Sequence, residues 1–193
     1  MAALWPDMPR AQANDVFHSS IYRIRRALFP EALLFRDGAY QLHPEAERWV
    51  DVDEFESLLD QAERATEDEA AVLRARALEL YRGDFLEQFY SDWCHARREQ
   101  LREKHLAALT RLAEYHARMG QARAALGLYQ TALAQDNARE EVYRALMELF
   151  ANSGDRTAAI QVYRQCVQVL RDELGVPPMP ETVAVYERIA RLT

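Results

Sequence analysis

Two stretches decide the fold: residues 112–129, LAEYHARMGQARAALGLY, and residues 146–163, LMELFANSGDRTAAIQVY. A slide of 34 positions lays Leu112 on Leu146, Gly120 on Gly154, Ala125 on Ala159, Leu126 on Ile160 and Tyr129 on Tyr163. Each stretch has one apolar helical pattern before its glycine and another after it, so each reads as a pair of antiparallel helices. The residue types follow from that geometry. A turn between helices takes Gly120 or Gly154, a close helix crossing needs a small side chain at Ala125 and Ala159, and Tyr129 and Tyr163 are placed to wedge against the next pair. Leu109 and Tyr143 hold equivalent positions on the first helices.

Sequence period and helix pairing together match tetratricopeptide arrays. Two repeats leave apolar ends uncovered, because such arrays need about three units or capping helices. The flanks supply candidates. On one side lie helical patterns over 51–82: Asp51 and Asp53 each have a Glu three residues on, in capping-box spacing, and Val52, Phe55, Leu58, Leu59 and Ala62 form the buried face. Thr66 caps a second helix there, ended by Gly83. On the other side, ETVAVYERIARL follows the stiff VPPMP and offers Val183, Tyr186 and Ile189. The intervening GDFLEQFYSDW is an aromatic-rich loop expected to pack down, and a long helical pattern runs from Asp92 to Met119. Departures from the repeat pattern are Asn137 and Arg171 where proline is usual, and Cys166 in a slot usually filled by Ala.

The N-terminal part reads differently. Phe17, Ile21, Ile24 and Leu28 make one apolar stripe on a helix over 10–28, closed by Pro30. ALLFRDGAYQL then holds two short apolar runs around Asp37-Gly38, a dipeptide that suits the positive φ angles of a type I′ hairpin turn. His43-Pro44 opens the connection to the helical part.

Composition bounds the chemistry. The chain has 193 residues, 49% hydrophobic and 28% charged, with only 6 Gly and 7 Pro, which fits a mainly helical globular protein of one large or two small domains. No segment has the apolar length of a membrane span, and MAALWPDMPR lacks the pattern of a signal peptide, so a cytoplasmic address and no membrane partner are expected. Cys94 and Cys166 stand far apart and read as reduced structural thiols. The histidines are scattered without ligand spacing, and neither a metal nor a cofactor is expected. No Gly-rich phosphate loop, GxSxG or comparable catalytic set occurs, which argues against an enzyme. The formal charge is −7. Residues 1–43 carry five Arg against four acids, a balance of +1, which leaves −8 to the remainder. The acidity therefore belongs to the larger part, while the smaller part retains the arginines that phosphate binding needs.

The runs ALELYRGDFLEQFYSDW, ARREQLREKHLAALTRLAEYHARMGQARAALGLYQTAL and RDELGVPPMPETVAVYERI resemble the bacterial transcriptional activation domain of SARP-type regulators, a tetratricopeptide-like domain that follows a winged helix. Residues 4–42 resemble the second half of that winged helix: LWPD as the end of its second helix, VFHSSIYRIRRAL as the recognition helix and LLFRDGAYQL as the wing. The strands and first helix that open the fold have no counterpart ahead of them. The resemblance implies a mainly α fold, with a partial winged helix over 1–43 and tetratricopeptide-like repeats over 44–193. It further implies an activator that binds promoter DNA and, through its repeats, RNA polymerase or another protein; the alternative is a helical scaffold that binds protein alone. On the helix face opposite the stripe stand His18, Tyr22, Arg23, Arg25 and Arg26. By resemblance His18 and Arg23 approach base edges, Arg25 a phosphate, and Arg36, on the wing, the minor groove. With its usual packing partner absent, the stripe needs cover from the neighbouring domain or from a second copy in a homodimer. Trp93, His116, Tyr129 and Tyr163 read as core rather than a ligand groove, and RREQLREKH as a solvated charged face or a polymerase-contacting surface.

Overall fold

A computed structural model describes residues 5, 7–44 and 48–191. Its contacts divide the chain into two units, Met1–Val50 with Leu86–Ala96, and Asp51–Phe85 with Arg97–Thr193. The aromatic segment after Phe85 thus groups with the N-terminal part, although it lies well inside the helical part in sequence.

In the first unit, α1 spans Arg10–Ala27 and a hairpin follows, β1 Leu33–Arg36 and β2 Ala39–Leu42. The strands are antiparallel, with Leu33 opposite Leu42 and Arg36 opposite Ala39. Asp37 (φ 52°) and Gly38 (φ 78°) both adopt positive φ at the tip, the backbone that a two-residue type I′ turn demands. Helix and hairpin meet through Phe17, which packs edge-on against Tyr40 with ring centroids 5.4 Å apart. Ala13, Ile21, Ala32 and Leu33 complete the buried set. Of the expected LWPD helix end, Leu4 and Pro6 lie outside the described residues, and Trp5 and Asp7 are not helical.

The second unit is built from helices. A pair, α2 (Asp51–Ala62) and α3 (Glu67–Leu80), precedes the long α4 (Asp92–Arg118), and α5 (Ala122–Gln135), α6 (Glu140–Asn152), α7 (Arg156–Val169) and α8 (Pro180–Arg191) follow. Thr66 and Glu69 close a capping box ahead of α3, the Glu69 carboxylate accepting from the Thr66 N–H at 3.2 Å and its hydroxyl at 2.8 Å. The spacing at Asp53 does not produce a second box. Asp53 lies inside α2, and Glu56 is drawn instead to Arg97 and Lys104 on α4. Nor does Gly83 end α3: the helix stops at Leu80, with Tyr81 as its C-cap.

The period of 34 residues is repeated in three dimensions. The end of α4 with α5 forms one helix pair, and α6 with α7 the next. Gly120 (φ 73°) and Gly154 (φ 80°) stand at corresponding turns in the left-handed conformation, which glycine adopts without a steric penalty. Ala125 and Ala159 are fully buried. Leu106, Leu109, Ala113, Tyr129, Val142 and Leu146 belong to one core that joins the two pairs.

Both ends of the array are covered. Phe55, Leu58, Ala77 and Leu101 form a separate core that seats α2 and α3 on α4. At the other end Ile189, 1% exposed, packs with Met147 and Ala159, and Tyr186 stacks on Tyr163 at 4.1 Å. The helix α8 therefore takes the place that the first helix of a further repeat would hold. Thr182 and Ile189 are its buried residues, while Val183 and Tyr186 are half-buried. Between α7 and α8 the chain makes a π turn, Leu170–Leu174, closed by Gly175 at φ 68°, and the Met179 N–H donates to the buried Glu140 carboxylate at 2.8 Å. Arg171, where a proline was anticipated by the repeat pattern, sits inside that π turn.

The expectation of a packed aromatic loop is corrected by the structure. Phe85 is half-buried, but Phe89, Tyr90 and Trp93 are exposed. Aromatic content reports how much area a loop could bury, not how much it does bury.

Candidate nucleic-acid interface

The helix α1 positions the first set of side chains. At about 100° per residue, Phe17, Ile21, Ile24 and Leu28 fall on one side, Tyr22, Arg23 and Arg26 fall on the far side, and His18 lies at the edge between them. The structure leaves these last four exposed. Arg36 is also exposed, at the end of β1 beside the Asp37-Gly38 tip. Three arginines, an imidazole and a phenol thus stand on solvent-facing positions of one small unit. Arginine pairs bidentately with guanine edges or phosphate oxygens, and a helix carrying such groups fits the width of a major groove. Arg26 lies in the last turn, where a cation also meets the negative end of the helix dipole.

Arg25 is placed otherwise. It is half-buried, its guanidinium donates to the Leu33 carbonyl at 2.6 Å, and its charge lies 5.9 Å from the centre of the Tyr40 ring. Its Nε is buried without a hydrogen-bond partner. The side chain ties the end of α1 to the hairpin, so the solvent-facing set is His18, Tyr22, Arg23, Arg26 and Arg36. The signal was present in the sequence: at about 100° per residue Arg25 lies only about 40° from Ile21, on the border of the apolar side. Along the stripe, Phe17 and Ile21 are covered, whereas Ile24 and Leu28 are 39% and 60% exposed.

In the helical unit, the charges of RREQLREKH are engaged within the chain. Arg97 and Lys104 clasp Glu56 at 2.5 and 2.6 Å. Burial works to raise the Glu56 pKa, but the hydrogen bonds and charges of Arg97 and Lys104 prevail and hold it below the usual carboxylate range. Arg98 donates to the Phe85 carbonyl, Arg102 to the Gln135 carbonyl, and Glu103 accepts from Arg139. The run keeps Glu99, Gln100, Glu103 and Lys104 exposed, as a solvated face does, and also stitches α4 to its neighbours.

Tyr129 is 1% exposed in the central core and Tyr163 is half-buried against α8. His116 is half-buried and contacts Gln121. Leu112 and Leu146 are buried, and both repeat glycines are exposed at their turns. A groove of about 490 Å³ runs between α5 and α7, floored by Leu146 and Phe150 and edged by Gln130, Gln161 and Gln165; no sequence motif marks it. Cys94 and Cys166 are free and buried, and burial pushes the Cys166 thiol up to about 12. Among the described residues no three His, Cys, Asp or Glu side chains come together as a metal site, and no helix is long and apolar enough to cross a membrane.

Known proteins share this arrangement. The chain is 29% identical over 191 residues to the regulatory protein AfsR of Streptomyces coelicolor, an alignment that covers 97% of this chain and 19% of AfsR. It is 28% identical over 200 residues to the transcriptional regulatory protein MoaR1 of Mycobacterium tuberculosis, covering 98% of this chain and 64% of MoaR1. The chain thus spans about a fifth of one relative and less than two thirds of the other. Both are named as regulatory proteins. In fold, it is similar to Mycobacterium tuberculosis EmbR, solved in complex with a low-affinity phosphopeptide: TM-score 0.79 at 24% identity, over 98% of this chain and 53% of that one. The family model for the bacterial transcriptional activator domain matches residues 50–190, which is the helical unit together with the aromatic segment inserted in it, and the chain belongs to that family.

Proposed function

We propose that this chain is the promoter-binding and partner-binding part of an activator-type transcriptional regulator. In this role α1 lies in the major groove of duplex DNA, the hairpin carries Arg36 toward the adjacent minor groove, and the helical repeats hold RNA polymerase or another protein. The observation that carries the DNA half is the exposure of Tyr22, Arg23 and Arg26 on the face of α1 opposite Phe17 and Ile21, with His18 exposed at its edge and Arg36 at the hairpin tip. Membership of the activator-domain family supports the protein half.

A second reading, a repeat scaffold that binds protein only, draws on the exposed Ile24 and Leu28. A helix so little covered on its apolar side is less firmly positioned than a reading head needs to be.

The two separate in a salt series. Binding to a generic duplex is followed by fluorescence anisotropy for the native chain and for an Arg23→Ala, Arg26→Ala, Arg36→Ala variant. Each phosphate no longer neutralised lowers the slope of log affinity against log salt by about 0.9, so the variant, which loses three cations from the proposed DNA-facing surface, has a measurably shallower slope for the regulator. Arg25→Ala serves as the contrast, since it loosens α1 from the hairpin and lowers the unfolding midpoint. A native chain that does not bind at low salt, or a triple variant with an undiminished slope, refutes the DNA-binding role and favours the scaffold.

A further inference from the structure

Resting on the protein-partner half of the function proposed above, we propose that the segment Leu86–Trp93 is a docking surface for an amphipathic helix whose apolar stripe is rimmed by Lys or Arg. The segment shows Phe89 and Trp93 about half exposed (52% and 50%), Leu86 39% exposed and Tyr90 92% exposed. Four large apolar or aromatic side chains within eight residues, all reaching solvent, are what the centre of an interface contains and what an isolated surface avoids.

The backbone is ordered in a way that keeps them there. Leu86 adopts φ 46°, a left-handed conformation that a leucine takes against its steric preference. The Phe89 N–H donates to the Leu86 carbonyl at 2.8 Å, and the N–H groups of Cys94 and His95 both donate to the Ser91 carbonyl, which opens α4. The buried Cys94 fixes the far end. A turn so fixed presents its rings at little further loss of conformational freedom on binding. Exposed rings of this size fit the holes between i, i+3 and i+4 side chains of a helix, as knobs do in helix packing.

Charge sets the rim of the partner. Glu87 and Asp92 are exposed on the segment, and no Lys or Arg occurs between Gly83 and Ala96. A cationic rim is attracted, and a second copy of the same acidic segment is repelled.

The test uses the whole chain and two fluorescein-labelled 18-residue helical peptides with identical Leu stripes, one rimmed by Lys and one by Glu. The Lys-rimmed peptide is expected to bind at least about tenfold more tightly than the Glu-rimmed one. A Tyr90→Ser, Trp93→Ser variant, which leaves the charge unaltered, is expected to lose about tenfold or more, with Tyr90→Ser alone as the milder version should the pair disturb folding by circular dichroism. A Glu87→Lys, Asp92→Lys variant is expected to invert the peptide preference. Equal binding by the serine variants and the native chain places the peptide elsewhere and overturns the proposal, as does an uninverted preference. Self-association in sedimentation that Tyr90→Ser abolishes makes a second copy the occupant, which also overturns it. None of these readouts depends on DNA, and a failure here leaves the salt-series result standing.

Discussion

His105 lies on α4, 5% exposed, stacked on Tyr81 with ring centroids 4.0 Å apart and with its Nε2 3.1 Å from the Gln135 amide nitrogen. Its Nδ1 is buried without a hydrogen-bond partner, so nothing there rewards the cation. Burial pulls its pKa from the ordinary 6.5 down to about 4. The unfolded chain therefore takes up a proton that the folded chain refuses. The stability contributed by the neutral ring is complete above the unfolded value and is lost as pH falls from there toward the folded one. For this pair of values the loss between about pH 7 and about pH 5 is about 2 kcal/mol, rising to about 3 near pH 4. Glu56, held below its ordinary 4.5, gives up its share only further into acid, so the upper part of the window belongs to His105. Urea denaturation at stepped pH measures this for the native chain and for His105→Phe, which keeps the stack on Tyr81 and removes the titration. The native curve should fall by about 2 kcal/mol more than the variant's over the interval from about pH 7 to about pH 5. Parallel curves would refute the assignment of a neutral, buried imidazole.

Two further outcomes follow from packing and backbone. Ile189→Ala, which empties the contact of α8 with Met147 and Ala159, should cost about 3 kcal/mol in urea; a loss under about 1 kcal/mol would show that α8 is not a structural cap. Gly154→Ala meets no atom within 4 Å but must hold φ +80°, so it should cost about 1 kcal/mol through backbone strain alone; an unchanged thermal midpoint would contradict the left-handed turn.

Legibility in the sequence followed the locality of the cause. The repeat was readable because Gly120 and Gly154, Ala125 and Ala159, and Tyr129 and Tyr163 each answer a local steric demand that recurs every 34 residues. The hairpin was readable from Asp37-Gly38 for the same reason. What escaped depends on partners distant in the chain. The Leu86–Trp93 rings read as packed because aromatic content does not say how much of it is buried, and the ion pairs of Arg97 and Glu103 escaped because Glu56 and Arg139 are about forty residues away. Arg25 stands between the two cases: its position on the helix wheel hinted at its inward turn, but its partner, the Leu33 carbonyl, is a backbone group that no side-chain pattern reveals. For the candidate interface, the helix face was legible and its membership was not.

The π turn at Leu170–Leu174 sets how the second repeat hands over to α8. Repeats that differ only by a 34-residue offset have no internal reason to stop at two, since each new pair buries the face that the last one exposes. A π turn holds one residue more than the α-helix would need, and that extra residue sets the direction in which the chain leaves α7 toward Met179 and the Glu140 carboxylate. Deleting one residue there would let the helix run on and rotate its exit by about 100°, so that α8 could no longer close over Met147. The turn works as punctuation: it separates α7 from α8, and without it the face that Ile189 covers on Met147 and Ala159 would be left open.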